Sequence, residues 1–155
     1  MIKLCIKGSQ IKTFMNEFLK GTAFDFYGVK HMEVFSAAKF ETDGKINPDF
    51  LPEKQERDYC LWSELKPYAF ALIKGKIKPK VFRTVLALPE DKLGLIHENA
   101  ASLHLTISFE NDSVTFLTGG SQKKFTLDKE VDRAWDGYIK KLLLKLGYDC
   151  EASEL

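Results

Sequence analysis

A chain of 155 residues, 45% apolar and with twelve phenylalanines, is about one domain's worth of sequence. It can bury roughly 70% of its unfolded surface without a metal or disulfide staple. Lysine and arginine number 23 against 22 acids, a net charge of +1, which excludes a global field that would draw in DNA or an anionic membrane.

Three cysteines, Cys5, Cys60 and Cys150, are odd in number and widely spaced. With no C-x-x-C pair and no histidine at ligand spacing, they read as reduced thiols of a cytoplasmic protein, and no cofactor or metal is implied. The N-terminus lacks a signal-peptide apolar run. The longest uncharged stretch, Asn99 to Phe109, is far short of the ~20 apolar residues of a spanning helix.

In chain order, Ile2 to Ile6 reads as a strand. Ser9 then caps a helix whose apolar residues, Ile11, Phe14, Met15, Phe18 and Leu19, share one face, with Gly21 as the C-terminal cap. From Val29 the period changes to two, with Met32, Val34, Ser36, Ala38 and Phe40 on one side, and Asp43-Gly44 is expected to make a tight hairpin turn. Asn47 to Asp58, polar with two prolines, reads as a loop. Trp62 to Lys74 has helical spacing, and Pro67 places the start of its regular part. Val81 to Leu88 is a strand, and Pro89-Glu90-Asp91 opens a short helix.

Leu103, Leu105, Ile107 and Phe109 alternate with polar residues, Asn111-Asp112 turns the chain, and Val114, Phe116 and Thr118 lead back. Thr118-Gly119-Gly120-Ser121 reads as a hairpin loop followed by a further short strand. Asp128 fits the N-cap of the longest helix, whose apolar face carries Val131, Trp135, Tyr138, Ile139, Leu142 and Leu143.

Consecutive strands joined by tight turns imply an α+β domain spanning 1–155: a mainly antiparallel sheet with about four helices packed on it. The segments 1–50 and 80–128 both read strand, helix, strand, turn, strand, which suggests an internal duplication of β-α-β-β units. Sliding DNA clamps show the same order of elements, an analogy of arrangement alone, because fold does not transfer function.

The run Phe125-Thr126-Leu127-Asp128-Lys129 followed by Trp135-Asp136 resembles the ending of a bacterial family known as a domain of unknown function (number 5721). Thr118-Gly119 with Ser121, Trp62 with Lys66-Pro67, Ile73-Lys74-Gly75-Lys76 with Pro79, and Asp43-Gly44 carry the same likeness over nearly the whole chain. The chain departs from it at Gly120 and Gln122, where the resemblance leads one to expect threonine and an apolar residue. What the resemblance implies is a single cytoplasmic domain, with no mechanism attached.

The candidate site is basic. Lys74, Lys76, Lys78 and Lys80 alternate, and Arg83 follows; in an extended chain, period two sets the four lysines on one side for a nucleic acid or a protein partner. The pattern is better read as a charged edge against aggregation, a common use of lysine. The glycine run before Lys123-Lys124 lacks the spacing and the following helix of a P-loop. Asp128, Asp132 and Asp136 recur every four residues, as a cation ladder would, but they also suit the helix dipole.

The three histidines, His31, His97 and His104, do not cluster in sequence, and no G-x-S-x-G elbow is present. Three readings follow. The first is a non-catalytic binding or accessory domain. The second is a clamp-like nucleic-acid-associated protein using Lys74 to Arg83. The third is a small hydrolase or transferase whose pocket residues are scattered along the chain.

Overall fold

The computed structural model describes residues 1–153. Among these residues, seven strands form one antiparallel sheet: β1 (Lys3–Lys7), β2 (Gly28–Phe35), β3 (Lys39–Thr42), β4 (Val81–Ala87), β5 (Ala100–Glu110), β6 (Ser113–Gln122) and β7 (Glu151–Ser153). Their order across the sheet is β3-β2-β4-β5-β6-β1-β7. Four helices complete the fold: α1 (Ser9–Lys20), α2 (Trp62–Ile73), α3 (Leu93–Ile96) and α4 (Glu130–Lys145). The class is α+β, as the pattern of elements predicts.

Alternation in the strands explains the layering. Leu103, Leu105, Ile107 and Phe109 of β5 and Val114 and Phe116 of β6 are buried, while the residues between them are mostly half-exposed. The buried side chains of all four helices join the same apolar cluster as these strand residues. The helices therefore lie on one face of the sheet, and the other face carries the polar half of each strand. Its centre is aromatic: Phe14 meets Phe116 edge-on at 4.9 Å, and Phe18 stacks on Trp62 at 4.3 Å. Such pairs add about 0.5–1.5 kcal/mol each beyond burial.

The two echoing segments are wired differently. β4 pairs directly with β5, whereas β1 and β2 are separated by β4, β5 and β6. The second segment thus sits inside the first.

Four local expectations are corrected. Ser9 does not cap α1. Gly8 precedes the helix at φ 68°, a conformation that favours glycine, and no side chain caps the end. The β2–β3 turn falls at Ser36–Ala38, where the Ser36 N–H donates to the Ala38 carbonyl at 3.1 Å, and not at Asp43-Gly44. Small residues fit that turn. Gly44 (φ 70°) instead lies where any Cβ would overlap the Val29 carbonyl.

Pro67 stands inside α2, because tertiary contacts start that helix earlier. The Trp62 and Ser63 N–H groups donate to the Tyr27 and Asp25 carbonyls at 2.8 and 3.2 Å, and Glu64 accepts the Leu61 N–H at 2.8 Å. These bonds satisfy the open donors of a first turn.

Lastly, Gly119 and Gly120 are strand residues of β6 opposite His104 and Leu103, and no further strand stands between β6 and α4. A Cβ on Gly120 would sit 2.6 Å from the Ser102 carbonyl oxygen. The glycine there permits close backbone approach beside the irregularity at Ala100 to Ser102. The Asn111-Asp112 turn is found as expected, both residues having positive φ between the paired Glu110 and Ser113.

Candidate functional site

The lysine strip is the connection between α2 and β4, and it is bent, not extended. Lys74 closes α2, and its ammonium lies 5.9 Å from the centre of the Phe70 ring. Lys76, Lys78 and Lys80 are exposed. So is Ile77, at 88%, although the alternation predicts it on the opposite, covered side; Pro79 is the residue that turns inward. One backbone bond, from the Lys80 N–H to the Phe35 carbonyl at 2.8 Å, ties the connection to the sheet.

Arg83 belongs to a different set of contacts on the helix-free face. Its guanidinium donates to Glu33 Oε1 at 3.0 Å and to Ser108 Oγ at 3.4 Å. His31 Nε2 lies 3.3 Å from the other Glu33 oxygen and 3.8 Å from Glu41, which Lys39 approaches at 3.4 Å. Glu33 and Glu41 are directly opposed across β2 and β3, a pairing that costs stability unless cations intervene. Arg83 and Lys39 supply those cations.

The donor atoms of His31, Glu33 and Glu41 fall within 4.8 Å of one another, a set that could hold a divalent cation. Both carboxylates already carry a basic partner, so the cluster balances its charge as it stands. The i, i+2 spacing of His31 and Glu33 was readable in sequence; Glu41 joins them only through strand pairing.

A third surface stands out by exposure. Phe125 and Leu127 are 84% and 85% exposed, two residues apart, whereas the other large exposed apolar side chains stand singly along the chain. The segment that carries them is firmly held. The Lys123 N–H donates to the Asn99 carbonyl at 2.8 Å, the Lys124 N–H to Asn99 Oδ1 at 2.9 Å, and Asn99 Nδ2 back to the Lys124 carbonyl at 2.8 Å. Gln122 brackets Thr126, accepting its N–H at 3.0 Å and donating to its hydroxyl at 3.1 Å.

Downstream, the Asp128 carboxylate accepts the Thr126 hydroxyl at 2.8 Å and the Glu130 N–H at 3.0 Å. These bonds, the Glu130 N–H first, hold its carboxyl below the usual aspartate range. Asp128 thus closes the start of α4 from one residue before the cap position, since Lys129 takes that position in a left-handed conformation. Asp136 is engaged elsewhere, accepting the Thr118 hydroxyl, so the aspartate ladder is divided among structural contacts.

Lys123, Lys124, Lys129 and the nearby Arg133 form no ion pair among the described residues, while Glu130 is paired with His97 at 3.4 Å.

An open cleft of about 860 Å³ lies between the 53–59 loop and the end of β4, lined by Lys30, Arg57, Tyr59, Glu90 and Asp91 among others. Two of its charged groups are engaged: Arg57 donates to Glu64 Oε2 at 3.0 Å, and the Lys30 ammonium sits 3.6 Å from the centre of the Tyr59 ring. Acyl or group transfer by a thiol needs a thiolate. Burial raises the pKa of Cys60 and pushes Cys150 up to about 11. His104 is shifted the other way, below the usual histidine range, by burial and then by Lys30.

Fold and surfaces together define a two-layer α+β protein with one helix-covered sheet face and a pinned apolar pair at one end. The chain belongs to a family described as Family of unknown function (DUF5721), whose model matches residues 17–151. No curated protein and no solved structure matches it. No helix among the described residues is long and apolar enough to cross a membrane.

Proposed function

We propose that this protein is a non-catalytic binding domain that docks a protein partner on Phe125 and Leu127. The carrying observation is that two large apolar side chains are held out to solvent by a segment with fixed hydrogen bonds. Exposed apolar groups kept rigidly in place are what an interface anchor requires, since little ordering entropy remains to be lost on docking. Covering both side chains would contribute about 3–6 kcal/mol gross, at roughly 1.5–3 kcal/mol each.

Photo-crosslinking in the native host tests this reading, with a benzophenone amino acid placed at 125 or 127 and, as control, at exposed Lys140 on α4. Discrete protein adducts at 125 and 127, absent at 140, are expected. Adducts of equal yield at all three positions, or none, would sink it.

The lysine connection supports a second reading. Lys76, Lys78 and Lys80 are exposed and form no ion pair among the described residues, so they are available to a polyanion such as nucleic acid.

A further inference from the structure

We infer that His31, Glu33 and Glu41, on the helix-free face of the sheet, bind a divalent transition ion of the Zn²⁺ class, which displaces Lys39. Sheet register brings the donors together. His31 and Glu33 are two residues apart on β2, and Glu41 stands directly opposite Glu33 on β3. His31 Nε2 lies 3.3 Å from Glu33 Oε2 and 3.8 Å from Glu41 Oε2, and the three donor atoms all fall within 4.8 Å of one another. Around an ion with bonds of about 2.0–2.2 Å, tetrahedral ligands stand roughly 3.3–3.6 Å apart. One separation already has that length, and a small rotation of the half-exposed Glu41 would close the others.

The basic partners of the two carboxylates do not fill this space. Arg83 holds Glu33 through Oε1 and is itself placed by Ser108. Glu33 Oε2, on a side chain only 10% exposed, has His31 Nε2 as its sole hydrogen-bonding contact among the described residues. A ligating carboxylate is commonly oriented in this way by a hydrogen bond to its other oxygen. Lys39 reaches Glu41 at 3.4 Å, and its side chain is more than half exposed. Its ammonium also lies 5.2 Å from the centre of the Phe35 ring, a resting place it can keep when an ion takes the carboxylate.

The donor set selects the class of ion. One imidazole with two carboxylates suits zinc and its first-row neighbours, whereas Mg²⁺ and Ca²⁺ take oxygen ligands. An open concavity of about 540 Å³, lined by His31, Glu41, Thr42 and Asp43, gives an ion a path in and leaves a further position for water or an anion. Charge limits the affinity. Arg83 and Lys39 balance the two carboxylates, so an ion that enters as Lys39 leaves takes the cluster from neutral to singly positive, and an anion in the further position would restore the balance.

The test titrates the whole chain, stripped with chelator and kept reduced, with Zn²⁺ by calorimetry and with Co²⁺ by visible absorption. Saturable binding of one ion per chain is expected, with a melting temperature that rises with ion concentration. His31→Ala and Glu41→Gln, each shown to be folded by a melt without metal, should weaken binding by about tenfold or more. Lys39→Gln should tighten it, and an excess of Mg²⁺ or Ca²⁺ should not compete.

No saturable binding, or binding unchanged in both His31→Ala and Glu41→Gln, would overturn the site and leave the cluster as ion pairs alone. A thiolate-to-cobalt charge-transfer band would overturn it in favour of the cysteines. Competition by Mg²⁺ or Ca²⁺ would overturn the transition-ion class, and weaker binding in Lys39→Gln would overturn the exchange with Lys39.

Discussion

Two lysine-rich segments of this chain, 74–80 and 123–129, look alike in sequence and differ in how they are held. Each intersperses lysines with large apolar residues, and each leaves such a residue more than four-fifths exposed: Ile77 in the first, Phe125 and Leu127 in the second. The first is fastened to the sheet by one backbone bond from Lys80 and closes α2 with another from Lys74. The second is gripped by Asn99, Gln122 and Asp128 through hydrogen bonds distributed along its length. Composition marks a surface as charged; only the hydrogen-bond inventory says whether it is presented in a fixed shape. A fixed shape suits recognition, and a loosely fastened loop lies at the low-stability end of a fold.

The largest test of that contrast concerns what the pinned segment leads into. Trp135 is fully buried on α4, and its indole N–H donates to the His104 carbonyl at 2.8 Å. Trp135→Ala is expected to cost on the order of 3–5 kcal/mol in a denaturant melt, because a cavity and an unpaired carbonyl appear together. A shift of a few tenths would mean that α4 does not anchor the segment before it.

Next in size is the grip itself. Asn99→Ala removes two side-chain bonds to the Lys124 backbone, an expected loss of about 1–2 kcal/mol. Hydrogen exchange should accelerate at Lys124 and Thr126 in that variant while the 74–80 amides stay unchanged. Equal acceleration in both segments would erase the distinction between them.

A smaller effect comes from pH. Asp128 is held below the ordinary aspartate range by the Glu130 N–H and the Thr126 hydroxyl. Its contribution is therefore fully present above the unfolded value of about 3.9 and is lost as pH falls through the lower folded value. The protection factor of the Glu130 N–H, corrected for the intrinsic pH dependence of exchange, should fall on acidification in the wild type and vary less in Asp128→Asn. No difference between the two would show that the carboxylate does not hold the segment.

Period and turn chemistry made much of this fold legible. The alternation in Leu103 to Phe109, the Asn111-Asp112 turn and the α4 stripe through Val131, Trp135, Ile139 and Leu143 are local patterns that the structure repeats, whereas Tyr138, expected on that stripe, is exposed. Misplaced features share a different cause. Gly44, Gly120 and Pro67 each read as turn or boundary signals, yet each is set by a distant partner: the Val29 carbonyl, the Ser102 carbonyl, and the Tyr27 and Asp25 carbonyls that start α2.

The candidate surfaces divide in the same way. Phe125 and Leu127 were visible as residues, but nothing local revealed that Asn99 would hold them out to solvent. Period two in the lysine strip implied an extended geometry, and Gly75 at φ 143° with Pro79 turned inward gives a bend instead.

The least destabilising change tests the other side of the comparison. Lys76→Ser/Lys78→Ser/Lys80→Ser removes three exposed ammonium groups from a connection with few fixed contacts, so stability should move by no more than about 0.5 kcal/mol. If the loop takes a polyanion, the wild type should bind single- or double-stranded DNA or RNA at low salt. That affinity should fall steeply as salt rises, because each neutralised phosphate releases counterions. The triple variant should then lose the binding, and Phe125→Ser should keep it. Absence of binding to all of these probes at low salt would remove the nucleic-acid reading and leave the lysines as a guard against strand-to-strand association. Binding lost in Phe125→Ser but kept in the triple variant would place the polyanion on the pinned segment, against the division drawn between the two.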